Sequence, residues 1–203
     1  MIRNRILGAI LIAQLFSQCL FARQYIPIPI GDLLSNVDVV ALVQIYESEY
    51  VVSPNDNLPC GVRYVSKVIK PIKGAKVDEM INFGNVSGFY AGGKYLVFIK
   101  RVDKNSKLII PGVTRKSDST IDKAVNSCGE YLSRNIIWSD GAAMFPLVFD
   151  FVNDKYFFEV SSHAFSFPIS MQDIENDDSN YPKKILIDRK KLLDYLGKKG
   201  TGH

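Results

Sequence analysis

The clearest pattern in the chain lies between residues 60 and 74. Val62, Tyr64, Ser66 and Val68 fall on one side of an extended backbone, Arg63, Val65, Lys67 and Ile69 fall on the other, and Lys73-Gly74 ends the run in a turn. Upstream, Val37 to Ile45 is apolar at almost every position, which predicts a strand buried on both faces. The stretch from Glu47 to Pro59 contains Ser53-Pro54-Asn55-Asp56-Asn57 and reads as a loop. Downstream, Val77, Glu79, Ile81 and Phe83 alternate with Asp78, Met80 and Asn82, a third strand that pairs with its predecessor as a meander. A glycine-rich turn, residues 84–93, leads into Lys94 to Val102, the strongest strand pattern of all. Asp103-Lys104-Asn105-Ser106 then predicts a hairpin into Lys107 to Ile110, followed by a polar segment up to Cys128.

The two ends carry different signals. Isoleucine and proline alternate over residues 24–30, which excludes helix and central strand and predicts an extended arm. Asp32 to Asn36 can close one helical turn. Near the other end, Asn135 to Trp138 reads equally as strand or turn. Residues 145–160 form an aromatic hairpin around Asn153-Asp154, with Leu147, Phe149 and Phe151 set against Tyr156, Phe158 and Val160. Residues 173–180 read as an acidic loop. A helix starts at the capping residue Asp188 and places Leu192, Leu193 and Leu196 on one stripe, and residues 197–203 read as a frayed tail.

The 203 residues, 47% hydrophobic and 23% charged, suffice for one domain with a substantial core. Arg3 and Arg5 precede an apolar run from Ile6 to Phe16, the layout of a secretory leader, with cleavage expected after Ala22. The run is too short for the roughly 20 apolar residues of a spanning helix, so no stable membrane span is expected in the mature chain. Losing Arg3 and Arg5 lowers the formal charge from +4 to +2. Lysines are interleaved with acids throughout, so there is no electrostatic case for nucleic acid. A secreted or periplasmic, monomeric protein with an unidentified protein partner is expected, and no cofactor.

In an oxidising compartment Cys60 and Cys128 form the remaining even pair once Cys19 leaves with the leader, and the two are expected to be joined. Closing a loop of that length contributes about 4 kcal/mol on the chain-entropy view. A lipidated Cys19 is the alternative, but Gln18 stands where a lipid-attachment signal has a small residue.

The succession of strand, loop, Cys60-Gly61 with Tyr64, Lys73-Gly74 turn, strand, and Gly92-Gly93-Lys94-Tyr95-Leu96-Val97-Phe98, ending in Cys128, resembles the secreted netrin-like or TIMP-like proteins over about residues 37–128. The resemblance implies a mainly β fold: a small antiparallel OB-type barrel, here with an added aromatic hairpin and a short C-terminal helix over residues 129–203. It does not carry over metalloprotease inhibition. That chemistry needs an N-terminal cysteine to chelate the protease zinc, and the only early cysteine is Cys19.

Candidate chemistry is sparse. His163 with Ser161 or Ser162 is the one nucleophile and base pairing within reach, the basis of an alternative reading as a secreted hydrolase, but it lacks an activating elbow. Asp173, Glu175, Asp177 and Asp178 could offer oxygens to calcium, yet lack the glycine and terminal glutamate of an EF-hand. Residues 88–93 precede a strand and are not followed by a Lys-Ser/Thr pair, which rules out a phosphate-binding loop. Asn85-Val86-Ser87 is a glycosylation sequon. Oligosaccharide or single-strand binding on the barrel would call on Tyr64 or Trp138 as stacking platforms. The expected contact surface for a protein partner is the arm, Tyr25, Ile26, Pro27, Ile28 and Pro29.

Overall fold

The computed structural model describes residues 27–52, 57, 59–84, 88–101, 135–137, 143–161, 164–175 and 184–200. The chain runs β1 (Ile28–Pro29), α1 (Ile30–Asn36), β2 (Val39–Val52), β3 (Pro59–Lys73), β4 (Met80–Gly84), β5 (Lys94–Arg101), β6 (Asn135–Ile137), β7 (Met144–Asp150), β8 (Lys155–Ser161), β9 (Phe165–Ser166), a 3-10 turn (Ile169–Met171), β10 (Gln172–Glu175), β11 (Lys184–Asp188) and α2 (Arg189–Gly200).

Five strands close into a barrel. β2 pairs antiparallel with β3 on one side and β5 on the other, β3 pairs with β4, and β6 bridges the gap, parallel to β4 and antiparallel to β5. That circuit is the order of an OB-type barrel, and closure gives the barrel portions of these strands neighbours on both sides. The closing strand, Asn135–Ile137, lies beyond the expected end at Cys128, and Lys107 to Ile110 falls outside the described residues.

The far edge of β5 is shared. Leu96 and Val97 pair with Phe145 and Met144 of β7, while Ile99 to Arg101 pair with β6. From β7 the sheet continues outward through β8, β11 and β10. Residues 94–101 can serve three neighbours because Tyr95 to Ile99 is apolar on both faces and fully buried.

The core is continuous from barrel to added sheet. Tyr64, Phe83, Val68 and Ile81 fill the barrel, and Phe98, Phe145, Phe165 and Phe167 interlock beside it, with ring centroids 5.2 to 6.2 Å apart. Such ring pairs add about 0.5–1.5 kcal/mol each beyond the area they bury. The helices close one end. α2 places Leu192, Leu193 and Leu196 in the core and packs on α1, β3, β8 and β11. Lys73 ties α1 to the barrel by donating to the carbonyls of Leu34 and Val37, both at 2.7 Å, where the helix has run out of amide partners.

Several expectations change. The strand expected to stop at Ile45 continues to Val52, because each residue after the bulge near Tyr46 finds a partner on β3. Val77 sits in the turn before β4. Of the acidic loop, Gln172–Glu175 is strand β10, which sets Asp173 and Glu175 along an extended backbone; Asp177 and Asp178 lie outside the described residues. Strand β11 was not anticipated: Ile185-Leu186-Ile187 is too short a run to stand out until β8 pairs with it. The frayed tail is helical to Gly200. The leader, Cys19, Asn85-Val86-Ser87 and Cys128 also lie outside the described residues.

Candidate interaction surfaces

The end of the barrel opposite the helices is an aromatic mouth. On β3 the helix end is marked by Lys73, opposite Val40, and the other end by Tyr64, opposite Ser48. Tyr64, Phe83, Phe89, Tyr95 and Tyr90 form a chain of tilted and edge-on rings, with centroids 5.0 to 6.4 Å apart. The turn that carries Phe89 and Tyr90 is held to β2 by Gly92 N to Ile45 O, 2.7 Å, and Ile45 N to Gly93 O, 3.0 Å. Gly93 is required there, since a Cβ would come within 2.5 Å of the Tyr95 ring. Burial raises the pKa of both tyrosines; a backbone hydrogen bond from Phe89 at Tyr64 and from Tyr90 at Tyr95 opposes it.

Beyond the mouth, β2 and β3 continue as a two-stranded ribbon, because β5 pairs with β2 only as far as Gln44 and β4 reaches β3 no further than Arg63. The ribbon exposes Tyr46, Val52 and Tyr50, the last at 62%, and Arg63 bridges to Glu49 across its outer face. Tyr50 lies opposite Val62, on the same face as the Ser48–Tyr64 pair, so that it flanks the mouth. Lys67 pairs with Asp78 at 2.7 Å, which raises the lysine pKa. With acids set beside bases in this way, the outer face of β3 is no basic track. Tyr64 is 1% exposed and cannot be a stacking platform: its place on the alternating strand points it into the barrel. Trp138 lies outside the described residues.

The second surface is the tip of the β7–β8 hairpin. Phe149 pairs with Tyr156, Leu147 with Phe158 and Asp150 with Lys155, so Phe151 has no partner across the hairpin and joins a four-residue turn. Asp150 builds that turn by accepting from Val152 N, Asn153 N and Asn153 Nδ2. The Asn153 side-chain bond, followed by the Val152 amide, lowers its pKa. Phe151 and Val152 are left 87% and 92% exposed. Phe151 stands edge-on to Phe149 at 4.9 Å, Phe149 meets Tyr156 at 4.9 Å, and Arg189 Cζ lies 5.9 Å from the Tyr156 centroid.

The arm is placed only in part. Tyr25 and Ile26 lie outside the described residues; Pro27 and Ile28 are half-buried and Pro29 is exposed. Ile28 and Pro29 pair in parallel with Phe165 and Ser166, and Ile28 packs on the core with part of its side chain. Ser161 ends β8, and Ser162 and His163 lie outside the described residues. Among the described residues no three His, Cys, Asp or Glu side chains gather as a metal site, and no helix is long and apolar enough to cross a membrane. Cys60 is buried at the start of β3 and is not a free thiol. No protein-family model matches the chain, and neither the curated proteins nor the solved structures yield a match.

Proposed function

We propose that this is an exported, non-enzymatic protein-binding module of TIMP-like character, which meets its partner through the tip of the β7–β8 hairpin. The observation that carries the reading is the exposure of Phe151 and Val152 at the apex of a turn that Asp150 holds in shape. Large apolar side chains projecting together on a firm base are the usual mark of a protein contact. Burying each on a partner would contribute about 1.5–3 kcal/mol. Phe149 and Tyr156 extend the contact surface, with Arg189 at its polar edge. The leader pattern supports export, and the proposed Cys60–Cys128 bond suits an oxidising destination.

The test compares the wild-type protein with Phe151→Ser/Val152→Ser, each immobilised and exposed to the extracellular fraction of its source. A protein retained by the wild type and lost by the variant, at unchanged melting temperature, supports the proposal. Equal retention by both would sink it. N-terminal sequencing of the exported protein checks the leader, with a first residue close to Arg23 expected.

A further inference from the structure

We propose that the concavity where α1, the end of β3 and the last turn of α2 meet binds a doubly charged phosphate monoester carried on a sugar-sized body. It encloses about 410 Å³ and is lined by Lys73, Lys198, Lys199, Ser35, Leu34 and the backbones of two glycines, with no carboxylate among them. Lys73 is already held in place. Its Nζ spends two of three donors on the carbonyls of Leu34 and Val37 and keeps one for a ligand, so little further ordering is needed on binding. Lys198 and Lys199 project from the final turn of α2. The ion pairs among the described residues, Arg63 with Glu49, Lys67 with Asp78 and Lys190 with Asp194, involve none of these three lysines.

The competing explanation is that the lysines only offset the negative ends of two helices. Each helix C-terminus is equivalent to about −0.5 charge, so two ends bring at most about −1 against three ammonium groups. About +2 remains, which a dianion would balance. The volume lies at the small end of the roughly 300–1,000 Å³ typical of small-molecule sites, and is larger than a bare oxyanion fills, hence an ester on a compact polar body. A sugar phosphate meets both requirements, whereas a sulfate monoester carries a single charge and would leave about +1 unbalanced.

The test is an NMR titration of the purified protein with inorganic phosphate and with inorganic sulfate, ionic strength being held constant with sodium chloride, following the amides of Gly31, Ser35 and Gly200. Saturable shifts are expected. The double variant Lys198→Gln/Lys199→Gln should bind at least tenfold more weakly with an unchanged melting temperature. These lysines are on the solvent side of α2, so the fold does not depend on them, as it does on Lys73. Glucose 6-phosphate should bind more tightly than inorganic phosphate, and glucose 6-sulfate, which carries one charge on a body of the same size, should bind more weakly than glucose 6-phosphate. Shifts that merely follow ionic strength, shifts unchanged in the double variant, or glucose 6-phosphate no tighter than inorganic phosphate would overturn the proposal.

Discussion

At Gly74 the chain turns with φ +64°, and a Cβ there would lie 2.0 Å from the carbonyl oxygen of Asp38. Nothing in that contact can give way, since the obstacle is the backbone entering β2. Gly74→Ala should therefore cost more than about 2 kcal/mol, beyond the usual glycine-to-alanine effect, from left-handed strain and the clash together. Urea unfolding measures it, and a loss below about 0.5 kcal/mol would mean the turn can relax. The barrel mouth makes a second prediction at this scale. Tyr64 and Tyr95 have raised pKa values in the fold because burial penalises the phenolate. Their contribution to stability is therefore complete below the unfolded tyrosine value of about 10 and is lost as pH rises through the higher folded values. Unfolding free energy measured from pH 8 to 11.5 should fall at the alkaline end, and Tyr64→Phe should fall less steeply. Identical slopes would show that Tyr64 does not titrate with folding.

Among the elements, α2 shows how local signals and packing divide the work. Asp188 accepts a hydrogen bond from Lys191 N at 2.9 Å, the capping contact expected where the helix begins, and Leu192, Leu193 and Leu196 then meet the core. Asp188→Ala should destabilise by about 1 kcal/mol, and Asp188→Asn, which keeps the accepting oxygen, should recover most of the loss. Thermal melting of both variants checks this. The β7–β8 hairpin is the contrary case. Its strands follow from their alternation, but the side-chain bonds of Asp150 decide that the turn spans residues 151–154, and this puts Phe151 in solvent.

For the whole molecule, the proposed bond between Cys60 and Cys128 would tie the start of β3 to the long segment between β5 and β6. Peptide mapping of unreduced protein should recover the two cysteines in one linked species. Cys60→Ala and Cys128→Ala should lower the melting temperature by similar amounts, with the double variant little worse than either, because a single bond is lost in all three. Two freely alkylated thiols in the native protein would refute the bond.

The sequence by itself determined the barrel strands with strong alternation or continuous burial, the Lys73-Gly74 turn, the capped C-terminal helix and the aromatic hairpin. In each, the residues that identify the element are neighbours along the chain, so period and turn chemistry are read without knowing the fold. Tertiary structure decided what distant segments supply to one another. β2 runs on to Val52 because β3 is there to pair with it. Asn135–Ile137 becomes the closing strand because β4 and β5 leave a gap of one strand. Ile185 to Ile187 becomes a strand on the edge of β8, and three lysines from two elements meet around one concavity. Pairing between strands far apart in the chain depends on where the partner's free backbone groups lie, and hydrophobic periodicity holds no record of that.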